Sequence, residues 1–446
     1  MSTRPRVLVI GTGFAGFHCL RKLERKLPPD AAELVAVNPS DYMLYIPLLP
    51  EVAGGVLDPR RVAVPLRNTL KRTKIVLGAA TDIALDQKCV QVTDVEGRSR
   101  TMSYDRLLIT SGSVTRLLSI PGVAQYAKGF RTVAEAIHLR DHALRQLELA
   151  DQADDPEERR ARCTFVVVGA GYTGTEVLAQ TQLLTQDAWR HLPGLRDVPP
   201  RWILVDVAPR VLPGLDPRLS GPTQKVLERR GAEVRLETSL ESMTPTCARL
   251  SDGTEIQTRT VVWCVGVRPD PLVSTLNMPV TNGRLNTGTQ LKVCENVWAA
   301  GDAAAVPDLV RPGEITAMTA QHAERQGRTA AINIAASLGH GTVHEYRHKD
   351  LGFVVDLGGW QAVANPLGVP LTSLPAKAVT RGYHLMDLPY GRFRTAANWL
   401  TELGAGRQIT HFGVVPDMGV SLAEADMPPN AAGFADTRTT GQADEV

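Results

Sequence analysis

The chain alternates short apolar runs with segments in which apolar residues recur at helical spacing. Residues 7–10 and 165–168 contain only apolar side chains, most of them β-branched. Runs of this kind suit strands that are buried on both faces of a parallel sheet. Because each run is followed by a glycine-rich turn and then by a helical pattern, the sequence predicts βαβ units and an α/β fold.

The two glycine-rich turns share the pattern Gly-x-Gly-x-x-Gly. The glycines are Gly11, Gly13 and Gly16 in the first turn and Gly169, Gly171 and Gly174 in the second. In such a turn the first glycine makes the bend, the second lets the backbone approach a pyrophosphate, and the third brings helix and strand together. One such turn can be purely structural, but two in the same context predict that the chain binds two dinucleotides and transfers electrons.

The strand after each turn is expected to end in a group that bonds the adenosine ribose. These groups are Asn38 and Asp206. A carboxylate at Asp206 would accept a hydrogen bond from a 2′-hydroxyl and repel a 2′-phosphate, which favours NADH over NADPH; Arg210 nearby weakens that preference. Asn38 has an alternative interpretation as a turn residue before Pro39.

Further apolar runs end in glycines that permit close approach to a ligand. They precede Gly112, Gly266 and the pair Gly301–Asp302. An acidic residue at Asp302 can bond the ribityl hydroxyls of a flavin, and its alternative role is a helix N-cap.

The order of these segments predicts two Rossmann-like dinucleotide-binding domains, with the second inserted in the first. We expect residues 1–125 and 285–345 to form one of these domains and residues 126–284 the other; the family resemblance given below implies that the first binds FAD and the second NADH. The polar segment 151–160 marks the boundary before the second turn. Residues 346–425 are expected to form an α+β segment that faces a membrane or a second copy of the chain, and residues 426–446 a flexible tail.

Composition excludes several classes of protein. The 446 residues are 43% hydrophobic and 22% charged with a net charge of +2, so a nucleic-acid partner is not expected. No run approaches the roughly 18 apolar residues that span a bilayer, and the N-terminus predicts no signal peptide. Six scattered cysteines show no metal-ligand spacing and no redox pair, so neither a metal centre nor a redox-active disulfide is predicted.

The chain resembles the type II NADH dehydrogenases, which are single-subunit NADH:quinone oxidoreductases within the two-dinucleotide-binding-domain flavoproteins. The resemblance runs from about residue 5 to residue 415. The segments that carry it are the two glycine-rich turns and residues 45–53, 108–113, 300–303 and 319–327.

The resemblance implies roles for individual residues. FAD would be held by Gly11, Gly13, Gly16, Asn38, Pro47, Leu48, Gly112, Gly301 and Asp302, and NADH by Gly169, Gly171, Gly174, Asp206 and Gly266. Pro47 and Leu48 would line the isoalloxazine.

Four more residues match positions near the flavin and the quinone. Glu176 would lie near the nicotinamide, or alternatively satisfy a helix dipole. Gln321 is the first of two glutamines that the family places at the quinone, whereas Arg325 replaces the second and could suit a different acceptor. Lys377 would lie near the flavin and the quinone entrance, with a solvated surface lysine as the alternative.

The activity that the resemblance implies is hydride transfer from NADH to FAD, followed by transfer of two electrons to menaquinone or ubiquinone. The resemblance also implies a peripheral protein on the cytoplasmic side of a membrane and a homodimer of two chains. The docking candidate is the amphipathic segment 390–403, whose apolar face has Trp399 available for the membrane interface. A core-packing helix is the alternative.

Three other functions remain open. A ferredoxin or rubredoxin reductase-like enzyme would use the same cofactors with a protein partner, but Gln321 fits a quinone better. A sulfide:quinone oxidoreductase would need paired cysteines at the flavin. A redox-sensing protein would bind FAD and NADH and signal through its conformation.

Overall fold

Two parallel sheets organise the molecule, which is described here by a computed structural model over residues 4–424. The first sheet has six strands, and all neighbouring pairs are parallel except the two strands at one edge. In sheet order the strands are Lys292–Cys294, Val297–Ala299, Arg106–Ile109, Arg6–Ile10, Glu33–Asn38 and Lys74–Leu77.

The second sheet has four strands, all parallel to their neighbours. In sheet order they are Glu233–Arg235, Arg201–Val205, Thr164–Val168 and Thr260–Trp263. The whole second sheet is therefore inserted in the chain between the strands Arg106–Ile109 and Lys292–Cys294 of the first. This arrangement confirms the predicted α/β fold with two Rossmann-like units, one inserted in the other.

The central strands of both sheets are buried on both faces, as their continuous apolar sequences predict. Val7, Leu8 and Val9 are fully buried in the first sheet, and every residue of Thr164–Val168 is buried in the second. Helix Phe14–Lys26 packs closely on helix Ala320–Ser337. At their contact a Cβ on Gly327 would lie 2.1 Å from the carbonyl oxygen of Ala15, so only glycine allows this approach.

The helices alternate with the strands along the chain. They are Phe14–Lys26, Leu49–Ala53, Leu66–Thr69, Val123–Tyr126, Val133–Gln152, Pro156–Arg162, Tyr172–Trp189, Pro217–Arg229, Leu272–Thr275, Ala320–Ser337, Ser373–Asp387 and Arg392–Ala405. A two-stranded antiparallel ribbon, Ser113–Thr115 with Val267–Pro269, joins the two units.

Smaller antiparallel elements decorate the two units. They are Tyr42–Leu44 with Ala63–Pro65, the sheet of Ala79–Ala84, Cys89–Thr93 and Ser99–Ser103, and the sheet of Leu240–Met243, Cys247–Leu250 and Glu255–Gln257. Strand Arg284–Asn286 pairs with Val280–Thr281 and, in parallel, with Ala304–Ala305.

The C-terminal segment is α+β, as predicted. Its antiparallel sheet contains the strands Val354–Asp356, Ala362–Ala364 and Leu371–Thr372, and two helices follow, Ser373–Asp387 and Arg392–Ala405. Within residues 4–424 no helix is long and apolar enough to cross a membrane. The predicted tail, residues 426–446, lies outside the described residues.

Candidate active site

The first glycine-rich turn has the shape of a phosphate cradle. Gly11 has φ +83°, and a Cβ there would lie 2.3 Å from the carbonyl oxygen of Thr110; a Cβ on Gly16 would lie 1.9 Å from the oxygen of Gly11. Gly13, by contrast, would meet no atom of the described residues within 4 Å. The first and third glycines are thus required by packing, whereas the second faces open space.

The second turn repeats this geometry in the other sheet. A Cβ on Gly169 would lie 2.4 Å from the oxygen of Cys264, and one on Gly174 would lie 1.9 Å from the oxygen of Gly169. Gly171 faces open space within the described part of the chain. Helices Phe14–Lys26 and Tyr172–Trp189 start at these open glycines, and no described side chain caps either helix, so their first N–H groups can bind an anion.

Asn38 and Asp206 occupy equivalent positions in the two units. In this structure the side chain of each accepts a hydrogen bond from the backbone of the neighbouring glycine-rich turn. The Oδ1 atom of Asn38 accepts a hydrogen bond from the N–H of Thr12 at 2.8 Å, and Asp206 accepts one from the N–H of Ala170 at 2.5 Å. Asn38 also donates to the carbonyl oxygen of Ser40 at 2.9 Å, which agrees with its alternative interpretation as a turn residue. Their predicted ribose contacts remain predictions.

Arg210 is fully engaged by the protein. Its guanidinium donates to the oxygens of Leu212, Pro213 and Leu215 and to the hydroxyl of Ser220, at 2.6–3.1 Å. These bonds hold the Arg210 side chain against its own loop, and the preference of Asp206 for NADH stays a prediction.

Gly112 and Gly266 lie at opposite ends of the ribbon that joins the two units. The carbonyl of Gly112 accepts from the N–H of Asp270 at 3.1 Å, and the carbonyl of Gly266 accepts from the N–H of Arg116 at 3.1 Å. A Cβ on either glycine would meet no described atom within 4 Å. Both glycines thus leave room beside the ribbon.

Asp302 lies at the end of the first sheet, in the short 3₁₀ helix Gly301–Ala303. Its N-cap is Ala300, so the alternative that Asp302 is a helix N-cap is wrong. The hydroxyl of Ser113 donates to Asp302 at 2.5 Å and accepts from the guanidinium of Arg131 at 2.9 Å. The N–H of Gly301 donates to the side-chain oxygen of Gln326 at 2.7 Å, which fixes this turn against helix Ala320–Ser337.

Glu176 is buried within helix Tyr172–Trp189 and is only 1% exposed. Its Oε1 atom accepts from the backbone N–H of Asp356 at 2.7 Å, whereas Oε2 has no hydrogen-bond partner among the described residues. Burial raises the pKa of this carboxyl well above its usual range, although the bond from Asp356 opposes the shift. The first turn of helix Tyr172–Trp189 contains no acidic residue, so the alternative that Glu176 is a first-turn residue satisfying the helix dipole is wrong.

Lys377 is buried against Asp356, so its alternative as a solvated surface lysine is wrong. Its Nζ atom lies 2.8 Å and 2.6 Å from the two carboxylate oxygens of Asp356, and the side chain of Gln180 donates to the same carboxylate at 3.0 Å. Burial lowers the pKa of Lys377, and Asp356 opposes that shift. No sequence motif marks Asp356, because its partners Glu176 and Gln180 lie 180 and 176 positions away along the chain.

A second buried ion pair connects helices Ser373–Asp387 and Arg392–Ala405 to the segment that contains Pro47 and Leu48. Glu51 accepts from Arg381 on one oxygen and from the indole N–H of Trp399 on the other, the latter at 2.6 Å. The guanidinium of Arg381 stacks on the Trp399 ring at 4.0 Å. Trp399 is 8% exposed, so the expectation that it is available at a membrane interface is wrong.

Pro47 and Leu48 lie in the 3₁₀ helix Ile46–Leu48, immediately before Glu51 and its short helix. Leu48 is 1% exposed, and Pro47 is half-buried. The structure thus places the predicted isoalloxazine segment beside the buried ion pair.

Gln321 and Arg325 lie one turn apart on helix Ala320–Ser337. The amide of Gln321 donates to the carbonyl of Gly352 at 2.7 Å, and its oxygen has no partner among residues 4–424. Arg325 donates to the carbonyl of Lys349 and lies 3.1 Å from a ring nitrogen of His348. Gln321 therefore keeps a free acceptor atom, whereas Arg325 is partly used by the protein.

Four of the twelve buried side-chain atoms that lack a hydrogen-bond partner among the described residues lie at or next to predicted cofactor or quinone positions. They are the Thr12 and Ser111 hydroxyls of the first unit, Oε2 of Glu176 and the Gln321 oxygen. Buried polar atoms are rarely left without a hydrogen bond in native proteins. Together with the two open glycines, they fit bound FAD and NADH.

The structure contains two anion cradles, one on each main sheet, and a ribbon joins the two units. This arrangement, with unpartnered polar atoms beside the cradles, defines an oxidoreductase that uses two dinucleotides. A sequence profile described as pyridine nucleotide-disulphide oxidoreductase matches residues 5–327, and the chain belongs to this family.

Individual relatives refine this assignment. The chain is 30% identical over 382 residues to the type II NADH:quinone oxidoreductase Ndh of Mycobacterium tuberculosis, which covers 81% of this chain and 79% of the relative. It is 29% identical over 415 residues to the demethylphylloquinone reductase NdbB of a Synechocystis species, covering 90% and 96% of the two chains. The resemblance to type II NADH dehydrogenases is thus confirmed.

A solved structure shares the fold. The NDH2 of Plasmodium falciparum, determined in complex with NADH, superposes with a TM-score of 0.83 at 18% identity. The match covers 91% of this chain and all of that chain.

Proposed function

We propose that this protein oxidises NADH and reduces a quinone through bound FAD. The observation that carries the proposal is the pair of glycine-rich turns, each closed by packing at its first and third glycines and open at Gly13 or Gly171. The relatives named for NADH:quinone oxidoreduction cover most of the chain. FAD, when bound, supplies the redox chemistry by accepting a hydride from NADH and passing two electrons onward.

The chain's own residues hold the two cofactors by their phosphates and riboses. The free N–H groups at the starts of helices Phe14–Lys26 and Tyr172–Trp189 bind the two pyrophosphates. Asp302, oriented by Ser113, accepts from the ribityl hydroxyls of FAD. Asp206 accepts from the adenosine ribose of NADH, and its charge disfavours the 2′-phosphate of NADPH.

Glu176 orients the nicotinamide as a neutral carboxyl group. Its raised pKa favours the protonated form, in which the unpartnered Oε2 can donate to the carboxamide oxygen of NADH. Asp356 and Lys377 hold Glu176 in place without contacting the nicotinamide. The backbone N–H of Asp356 donates to the other oxygen of Glu176, and Lys377 neutralises the Asp356 carboxylate. They are positioning residues.

The acceptor site contains Gln321. Its unpartnered oxygen can accept a hydrogen bond from a hydroxyl of the quinol product, whereas a quinone carbonyl needs a donor, which the guanidinium of Arg325 one turn away can supply. Menaquinone and ubiquinone are the candidates. A ferredoxin-like protein acceptor would instead need a charged docking surface.

The membrane surface is the second partner that we propose. Helix Arg392–Ala405 exposes Phe393 (92%), Leu400 (69%) and Leu403 (60%), while Arg392 and Arg394 are exposed beside them. An exposed apolar face with flanking cations suits an interfacial helix. The segment is thus both amphipathic and, through Trp399, part of the core. We place this face on the cytoplasmic side of a cell membrane.

Vesicle binding tests the membrane proposal. We expect wild-type protein to co-sediment with vesicles that contain anionic lipid and the variant Phe393→Asp/Leu400→Asp to remain in the supernatant. The control variant Val280→Asp, at an exposed apolar position of the second unit, should sediment as wild type. Equal sedimentation of all three proteins would contradict docking through this helix. The homodimer that the resemblance implies should sediment as a species of twice the chain mass, and a monomer in sedimentation velocity would contradict it.

Stopped-flow kinetics test the redox proposal. We expect NADH to bleach the flavin faster than NADPH does, and a menaquinone or ubiquinone analogue to restore the colour faster than oxygen does. Faster reduction by NADPH would refute the role of Asp206. Rapid reduction without reoxidation by any quinone would refute the acceptor assignment; reoxidation by a ferredoxin would favour a protein partner, and poor turnover with every acceptor would favour a redox sensor.

A further inference from the structure

Two histidines and a carboxylate converge where the C-terminal segment meets the second dinucleotide-binding unit. His138 and His142 lie one turn apart on helix Val133–Gln152 and are 3% and 5% exposed. Asp417 comes from the 3₁₀ helix Asp417–Val420. One ligand atom from each of the three side chains lies within 4.8 Å of the others.

The hydrogen bond of His138 fixes which of its nitrogens can bind a cation. Its Nδ1 atom lies 3.1 Å from the carbonyl oxygen of Val415, and because a carbonyl only accepts, Nδ1 must bear a hydrogen. In the neutral ring Nε2 then carries a lone pair, and it lies 3.0 Å from a carboxylate oxygen of Asp417. Two acceptors at this distance repel each other unless a proton or a metal ion lies between them.

His142 repeats the arrangement. Its Nε2 atom lies 2.9 Å from the hydroxyl of Thr260, whereas Nδ1 is buried and has no hydrogen-bond partner among the described residues. Each imidazole thus has one nitrogen held by a protein oxygen. The other nitrogen of His138 faces Asp417, and the other nitrogen of His142 has no partner in the described chain. Histidines that bind metals characteristically use their second nitrogen in this way.

The charges around the three side chains act in both directions. Burial of His138 and His142 favours their neutral form, which is the form that binds a metal ion. Two cations oppose a metal: Lys128, whose ammonium lies 2.7 Å from Asp417, and Arg145. Their charge limits the affinity.

We propose that His138, His142 and Asp417 bind a zinc ion that fastens the C-terminal segment to the second unit. Nitrogen and oxygen ligands with a water in the fourth position suit tetrahedral zinc, in which ligand atoms are about 3.4 Å apart. Asp417 is 60% exposed at its side chain and can move inward to close the site.

The segment that contributes Asp417 is already docked on the same helix. The carboxylate of Asp141 accepts from the N–H groups of Phe412 and Gly413 at 3.0 and 2.8 Å, and Leu422 is 1% exposed in the core of the second unit. Zinc would therefore lock an existing contact. The sequence-based prediction of no metal centre rested on cysteine spacing. It did not include this histidine pair, because the third proposed ligand lies far along the chain.

Zinc binding to the FAD-loaded enzyme tests the proposal. After removal of metals with a chelator, dialysis against zinc chloride should leave one zinc per chain. X-ray absorption at the zinc edge should show nitrogen and oxygen at about 2.0–2.1 Å and no sulfur at about 2.3 Å. A sulfur shell would assign the metal to one of the six free cysteines and overturn the proposal, as would the absence of bound zinc at about 50 µM, well above the range of structural zinc sites.

Two variants separate a zinc site from a simple ion pair. Asp417→Asn, at an exposed position, should weaken zinc binding by more than about tenfold, since losing a direct ligand should cost at least as much as losing an outer contact. Lys128→Met keeps all three ligands and removes an opposing charge, so it should bind zinc more tightly than wild type. Unchanged affinity in Asp417→Asn, or weaker binding in Lys128→Met, would refute the site. Zinc should also raise the melting temperature of wild type but not of Asp417→Asn.

Discussion

The substitution Gly171→Ala separates binding of NADH from folding. Gly171 has φ −69° and ψ −171°, which alanine adopts readily, and the added methyl would meet no described atom within 4 Å. Alanine is poorer than glycine at a helix N-cap by several tenths of a kcal/mol, but it also restricts the unfolded chain by about 0.4–1 kcal/mol. We therefore expect the free energy of unfolding to change by less than about 0.5 kcal/mol.

The effect on NADH should be much larger, because the methyl occupies the place where the pyrophosphate approaches the backbone. Loss of one charge-assisted hydrogen bond costs about 1.5–3 kcal/mol, which corresponds to a rise of about ten- to hundredfold in the Kd for NADH. The variant should nevertheless purify yellow with a full complement of FAD, since the first turn is unchanged.

Calorimetric titration of the flavoprotein with NAD⁺ measures nucleotide affinity, and the rate of flavin reduction by NADH measures its consequence. Chemical unfolding measures the change in stability. Gly13→Ala is the matched control: it should lose FAD while the second turn stays intact. Gly174→Ala is the opposite control, because its methyl would lie 1.9 Å from a backbone oxygen and should destabilise the fold. Wild-type affinity for the nucleotide in Gly171→Ala would refute the assignment of this turn as the NADH cradle.

Three further predictions concern titratable side chains. Asp206→Asn should fold, because Asn38 makes the equivalent bond in the first turn, and should narrow the preference of kcat/KM for NADH over NADPH by at least about tenfold; an unchanged ratio would contradict a charge effect. Lys377→Met leaves the Asp356 carboxylate without its main partner and should lower the free energy of unfolding, measured by denaturant titration, by about 3–5 kcal/mol. The double variant Lys377→Met/Asp356→Asn, which also removes the carboxylate charge, should recover much of that loss. Glu176→Gln should have a higher melting temperature than wild type, and the difference in melting temperature should widen above about pH 4.3. Because the pKa of Glu176 is raised in the folded protein, wild type loses stability as the pH rises from the unfolded pKa towards the folded one, whereas glutamine does not titrate. A gap that does not depend on pH in thermal scans would contradict the raised pKa.

The fold could be predicted from the sequence because its signals are local. Each glycine-rich turn follows its strand directly, and the burial of strands Arg6–Ile10 and Thr164–Val168 follows from their own residues. The insertion of one unit in the other could be inferred from the order of the motifs along the chain.

The buried charge network could not be predicted, because its members are distant in sequence and have common residue types. Glu176 meets the backbone of Asp356 180 positions later, and Glu51 meets Trp399 348 positions later. Trp399 shows the limit of helical periodicity: the pattern of segment 390–403 identifies an amphipathic helix, but only the fold shows that the indole faces inward to an acidic partner. The resemblance placed Lys377 near the cofactors, and its carboxylate partner became visible only in three dimensions.

The double engagement of Glu51 has a practical consequence for anyone who shortens this protein to make it easier to handle. Cutting the chain before residue 392 would remove an exposed greasy surface, but it would also take away the indole that satisfies one oxygen of a carboxylate that is 2% exposed. Glu51 would keep its ion pair with Arg381 but would lose the partner of its second oxygen, three positions from Leu48 in the predicted isoalloxazine segment. Replacing Phe393 and Leu400 with polar residues, and keeping the helix, is the gentler route to a soluble enzyme.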